Sequence, residues 1–160
     1  MRNCLWSLFV IVLFAGTSCQ QEGRIEKEKE AIIAVLKEEA DANIAKDKDR
    51  LFALHVQDNL ETRLELGEYG FNTYAGWDAI KPLIDDFIDG AQQADDAVNR
   101  KENMIIKVMG NCAWLTCDNI WKWNIDGEPG GYNNIQVTFL EKIKGEWKIS
   151  FSSYYSKPMP

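Results

Sequence analysis

Histidine is nearly missing from this chain. There is one, His55, in 160 residues, beside four cysteines, two of which (Cys4 and Cys19) fall in the first nineteen positions. With one histidine and no clustered cysteines, a zinc site of the usual composition cannot be assembled. No metal and no cofactor is expected. Cys112 and Cys117 lie five apart on one expected strand, so they face opposite ways at about 17 Å, where a disulfide needs about 7 Å or less. They read as two small buried thiols. Basic charge is scarce as well: 18 Lys and Arg against 25 Asp and Glu leave −7, and no basic stripe interrupts it. Such a surface repels phosphate backbones, which argues against a nucleic-acid partner. A long hydrophobic run is also lacking, since the apolar stretch from Cys4 to Ala15 is about a dozen residues against the roughly 20 of a membrane span. Neither an internal repeat nor a low-complexity segment is found.

That short apolar stretch has the layout of a leader. Arg2 supplies the positive start, Cys4 to Ala15 the apolar centre, and Gly16-Thr17-Ser18-Cys19 the small-residue exit. The exit resembles the lipobox of bacterial lipoproteins, although Gly16 stands where a larger apolar residue is usual. The resemblance implies that Cys19 is lipidated and becomes the first residue of the mature chain. It places the protein on the bacterial cell envelope, held to the membrane by the lipid alone, on the periplasmic side or the cell surface. The expected organisation is then 1–19 leader, 20–24 polar tether and 25–157 one domain. About 140 residues suffice for a single core.

Within the domain, Ile25, Ile32, Ile33, Leu36, Ala40 and Ile44 recur at helical spacing and predict a helix over 25–45. Asp47 is placed to cap a second, short helix carrying Leu51, Phe52, Leu54 and His55. Leu60 to Leu66 alternates with Leu60, Thr62, Leu64 and Leu66 on one face and reads as a strand. A third helix is expected from about Gly76 to Gln93, with Pro82 near its start. From Met104 to Tyr155 the chain alternates at period two. The apolar positions Met104, Ile106 and Val108, then Ala113, Leu115 and Cys117, then Ile135, Val137 and Phe139, then Trp147, Ile149 and Phe151 predict a sheet with one face built to be covered. The helices are the available cover. The expected fold class is α+β: a cone-shaped barrel, with about three N-terminal helices packed into a strongly curved, mostly antiparallel sheet.

Several short stretches carry a family resemblance: Asp47 to Asp58, Gly76-Trp77-Asp78-x-Ile80, Gly110-Asn111-Cys112-Ala113-Trp114, Phe139 to Lys142, and Gly145-Glu146-Trp147-Lys148-Ile149. In their order and spacing they resemble the nuclear transport factor 2-like superfamily, which includes SnoaL-like proteins and ketosteroid isomerase. The resemblance implies a cone with a pocket between helices and sheet, and frequent dimerisation. It does not imply one chemistry, because the superfamily hosts isomerases, cyclases, dehydratases and members without known activity.

If the apolar faces define the inside, Thr62, Asn119, Asn133, Ser153 and Tyr155 are the inward polar groups. Trp121 and Phe151 stand among them as wall or core. His55 is a candidate base with Asp58 within a turn, or else a helix-surface or core histidine. Asp58 is equally readable as a turn residue. Tyr69 and Tyr74 fall in a segment that could cover the mouth. Many SnoaL-like relatives place histidines two apart in the last strand; Phe151 and Ser153 stand there here. Three readings follow: a cone that binds a small apolar molecule, an isomerase or dehydratase of ketosteroid isomerase type, and a non-catalytic interaction module. The second sheet face, with Trp114, Ile120, Leu140 and Tyr154, is too apolar for open water and predicts a homodimer through it.

Overall fold

The computed structural model describes residues 4–67, 70–91, 94 and 96–156, with side chains between Glu22 and Tyr155. Helix α1 runs Cys4–Ala45 and α2 Lys48–Ala53, followed by strands β1 (Thr62–Gly67) and β2 (Gly70–Ala75) and helix α3 (Trp77–Gly90). Four long strands complete the chain: β3 (Val98–Met109), β4 (Cys112–Ile125), β5 (Glu128–Ile143) and β6 (Glu146–Ser156). They form one six-stranded sheet in the order β2-β1-β6-β5-β4-β3. Only the β1–β6 pairing is parallel among these neighbours. The α+β cone is therefore present, with β2 as a strand that the alternation did not predict. Among the described residues, no helix is long and apolar enough to cross a membrane.

Local chemistry explains the helix boundaries. Asp47 caps α2 by accepting a hydrogen bond from the Arg50 amide at 3.0 Å, as its position predicts. α3 follows Gly76, whose φ of 83° suits glycine and whose amide is taken by the Glu61 carbonyl at 2.7 Å. Pro82 lies inside α3, past its first turn, where its missing amide leaves the Asp78 carbonyl without the usual helical donor.

The face of the sheet toward α1 is graded along the strands. At one end the cross-strand row Ala113–Leu140–Ile149 is apolar and fully buried, and Ile32 and Leu36 of α1 press on it. The next row, Leu115–Thr138–Ser152–Arg63, is mixed. Beyond it come Cys117–Gln136–Tyr154–Glu65 and then Lys101–Asn119–Asn134, which are mostly polar. A second apolar cluster, Ala42, Leu51, Ile80, Ile84 and Ile88, joins the three helices.

This arrangement corrects the expected facing of three strands. In β5 it is Asn134, Gln136, Thr138 and Leu140 that are buried, while Phe139 is exposed and Ile135 and Val137 are half-buried on the opposite face. In β6 the pairing shifts between Phe139↔Phe151 and Leu140↔Ile149, leaving Ser150 as an extra residue. Such a bulge reverses which side chains face the helices. Trp147 and Ile149 therefore face inward as expected, whereas Ser152 and Tyr154 replace Phe151, Ser153 and Tyr155. In β1 the inward residues are Arg63 and Glu65, aligned with Ser152 and Tyr154, and Thr62 and Leu64 point away. Cys112 is exposed and only Cys117 is buried, which corrects the reading of two buried thiols.

Candidate functional site

The polar end of the sheet encloses, with α1, α2 and α3, a cavity of about 710 Å³. That is room for a small organic molecule. Phe71 of β2 and Phe87 of α3 line it while 73% and 55% exposed, and so mark its mouth. The walls deeper in are polar: Glu39 and Asn43 from α1, His55 after α2, Arg63 and Glu65 from β1, Lys101 from β3, Asn119 from β4, Asn134 from β5 and Tyr154 from β6. An apolar lining was expected. The structure sets charged and amide groups beside apolar ones such as Leu51, Ile84 and Trp121, because the inward faces of β1 and β5 are the polar ones.

His55 stands on the cavity wall, 9% exposed, at an isolated bridge to Ile149 that docks the end of α2 onto β6. Its Nδ1 bonds Oε1 of Glu61, a carboxylate only 2% exposed. The other Glu61 oxygen accepts the Gln57 amide at 3.0 Å, which fixes the carboxylate in place. A carboxylate can only accept, so Nδ1 carries a proton, and in the neutral form of the ring Nε2 keeps the lone pair. Trp77 lies beside the ring, 5.4 Å between centroids.

A second cluster lies on the sheet side. Glu39 is 7% exposed. One of its oxygens accepts the Tyr154 hydroxyl at 3.0 Å; the other accepts Gln136 Nε2 at 3.1 Å and lies 3.6 Å from Lys101 Nζ. Burial pushes the Glu39 carboxyl up, but the Lys101 charge, the Gln136 amide, His55 and the Tyr154 hydroxyl together outweigh it and hold the carboxyl below its ordinary value. Tyr154 moves the other way: burial first, then the Glu39 charge, lift its phenol well above the ordinary value. The Arg63 guanidinium covers the Tyr154 ring at 5.0 Å and is held by Glu65, 2.9 Å away.

Of the residues singled out in the sequence, His55, Asn119 and Trp121 line the cavity. Asp58 does not. Its carboxylate accepts the amides of Leu60 and Glu61 at 2.8 and 2.9 Å, and its carbonyl accepts that of Trp77. It is an exposed turn residue that sets the direction of Glu61. Thr62, Asn133, Phe151, Ser153 and Tyr155 lie on the outer face of the sheet. Thr62 and Phe151 border a separate groove there, of about 410 Å³, with Leu60 and Phe139. Tyr74 packs on the apolar cluster of the helices. Tyr69 and the C-terminal end of the 25–157 span lie outside the described residues, and the side chain of Cys19 is likewise not described. No group of three or more His, Cys, Asp or Glu able to hold a metal occurs among the described residues.

The sequence reading passed over Glu39, Glu61, Arg63, Lys101 and Asn134, and it set Tyr154 and Leu140 on the outer sheet face, whereas Tyr154 lines the cavity and Leu140 lies in the core under α1. Glu39 had a visible signal, since it sits seven residues after Ile32 on the buried stripe of α1, where a carboxylate is expensive unless paired.

No model of a known protein family matches the chain, and no curated protein does. Solved structures do. A nuclear transport factor 2-like protein with a cystatin-like fold from Novosphingobium aromaticivorans superposes with a TM-score of 0.72 at 19% identity, over 90% of this chain and 91% of its own. A protein provisionally assigned as a scytalone dehydratase from the same organism gives 0.66 at 16% identity, over 81% and 84%. The association domain of C. elegans CaMKII gives 0.66 at 18% identity, over 82% and 97%. The chain has the nuclear transport factor 2-like cone fold.

Proposed function

We propose that the cone binds a small molecule by a polar end and moves a proton at it through Nε2 of His55. The observation that carries this reading is the imidazole on the cavity wall with its Nδ1 fixed by buried Glu61. That pairing sets the tautomer of the neutral ring and leaves Nε2 as the nitrogen available as a base. The reaction class is proton abstraction next to a carbonyl, followed by isomerisation or loss of water. In the second case the C–H and C–O bonds break, the C=C bond forms, and the departing hydroxyl leaves as water with the proton that His55 received. The similarity to a provisionally assigned dehydratase supports this class. The test is deuterium uptake from D₂O at the α-carbon of a panel of aryl ketones, read by mass spectrometry. Wild-type protein is expected to speed uptake for at least one ketone, with a loss of about 10²-fold or more in His55→Ala. Equal rates in the two proteins, with ketone shown to bind, leave a binding cone without chemistry.

The outer sheet face supports a second element of the reading, a homodimer. Phe139 and Phe151 meet there edge to face at 5.7 Å, and Tyr155, 45% exposed, lies on the same face. The association domain similar in fold is compatible with it. We also read the chain as a bacterial envelope lipoprotein anchored through Cys19. Membrane fractionation tests this: wild type is expected with membranes and Cys19→Ala in the soluble fraction.

A further inference from the structure

Lys101, Asn119 and Asn134 stand side by side on β3, β4 and β5 in direct cross-strand register. Lys101 Nζ donates to Asn119 Oδ1 at 3.0 Å. An ammonium has donors only, so the Asn119 atom facing it must be the carbonyl oxygen. The Asn119 amide nitrogen then points onward and donates to Asn134 Oδ1 at 2.9 Å. Asn99 Nδ2 adds a second donor to Asn119 Oδ1 at 2.7 Å, which fixes the same orientation. Asn134, 6% exposed, lines the cavity with its Oδ1 taken by Asn119, which leaves Nδ2 as the group it can offer to a ligand. An amide donor at a cavity wall is met by water or by a ligand, and a ligand that displaces the water keeps the hydrogen bond only by offering an acceptor. Lys101 also donates to Gln136 Oε1, which turns Gln136 Nε2 toward Glu39. One lysine thus orients two amides, one ending on a carboxylate inside the protein and the other open to the cavity.

We propose that Asn134 is the residue that binds the oxygen of the cavity's ligand, that this ligand presents an uncharged acceptor such as a carbonyl, and that Lys101 and Asn119 are positioning residues. The inference deepens the binding part of the reading above and does not depend on proton transfer. The ligand's oxygen is neutral because the site's cations are already matched: Lys101 by Glu39, and Arg63 by Glu65. The relay strengthens the terminal donor, since each amide is polarised by the one before it and the first by a full charge. The aromatic side chains Phe71, Phe87 and Trp121 line the same cavity, which suits a planar apolar body behind the oxygen.

The test uses 2-acetylnaphthalene and 2-isopropenylnaphthalene, which differ by a carbonyl oxygen against a methylene. Their dissociation constants are read from tryptophan quenching in wild type, Asn134→Asp, Asn134→Leu and His55→Ala. The ketone-to-alkene preference is expected to fall roughly tenfold in both Asn134 variants and to persist in His55→Ala. Asn134→Asp keeps the acceptor for Asn119 and differs by one atom, so it guards against a misfolded Leu variant. The infrared carbonyl stretch of bound ketone should lie lower in wild type than in either Asn134 variant, with Lys101→Met in between, a shift that a merely structural role would not produce. An unchanged preference and stretch overturn the proposal, as does failure of wild type to bind either probe. Ketone binding through Asn134 without deuterium uptake would retire the proton-transfer reading and leave this one standing.

Discussion

The carboxylate that holds Nδ1 of His55 belongs to Glu61, six residues along the chain, although Asp58 lies between them. Asp58 spends both its carboxylate and its carbonyl on backbone amides, and by closing that turn it sends the Glu61 side chain back under the imidazole.

Because the chain has a single histidine, its ring can be watched alone by ¹⁵N NMR. In wild type the spectrum of the neutral ring should show the proton on Nδ1. Glu61→Gln should lose that preference and about 1.5–3 kcal/mol of stability, the worth of a hydrogen bond to a charged group. A proton on Nε2 in both proteins would contradict the pairing.

Glu39→Gln should be costly, about 3–5 kcal/mol by urea unfolding, since it leaves Lys101 buried beside a neutral group. The pH dependence has a definite sign. The Glu39 carboxyl is held below its ordinary 4.5 in the fold, so the unfolded chain binds the proton more readily. Its contribution is complete above pH 4.5 and declines as pH falls through the lower, folded value. Glu39→Gln should flatten that acid limb. An equally steep limb in the variant would assign it to other groups.

At the alkaline end the sign reverses. The Tyr154 phenol is raised above its ordinary 10.0, so its contribution is whole below pH 10 and is lost as pH rises through the folded value. Tyr154→Phe should reduce stability at neutral pH by about 1.5–3 kcal/mol and narrow its difference from wild type above pH 10. A constant difference to the end of the folded range would show that the hydroxyl is not held by Glu39.

Two neighbouring glycines of β5 should differ. A Cβ on Gly131 would come within 2.4 Å of the Trp121 carbonyl oxygen, which is backbone and cannot yield without moving β4. On Gly130 it would meet the Trp123 indole at 2.2 Å, a side chain that can turn aside. Gly131→Ala should therefore lower stability by more than Gly130→Ala, the latter within the roughly 1–3 kcal/mol of overpacking. Thermal unfolding of the pair gives the order, and the reverse order would mean that β4 yields more easily than the indole.

For the outer face, sedimentation of wild type at micromolar concentration should give a dimer and Phe139→Lys a monomer with the same circular dichroism. A wild-type monomer would remove the homodimer.

Much of the fold was legible because apolar spacing reports burial. Ile32 and Leu36 announce α1, and Ala113, Leu115 and Cys117 announce β4, since nothing else in their surroundings competes for those faces. The site was mostly not legible, for a physical reason. Alternation tells a strand's two faces apart but not which of them is inside. In β5 the apolar set, Ile135, Val137 and Phe139, faces outward, while Asn134, Gln136 and Thr138 are buried and tied into the hydrogen bonds that run from Lys101 and Glu39. His55 was found because it is unique, and Asn119 and Trp121 because β4 keeps its phase throughout. Glu61 was hidden by the nearer Asp58.

The extra residue at Ser150 bears on how this protein should be compared with others. β6 carries core positions before it and cavity positions after it, in opposite phase. An alignment that runs hydrophobic columns straight through Ser150 would match Tyr154 to residues on the far side of a relative's sheet. Lineages could gain or lose one codon there and exchange the cavity wall at Tyr154 for the outer surface, with Trp147 and Ile149 untouched. Ancestry in such proteins is better traced by strand partners than by letters in a column.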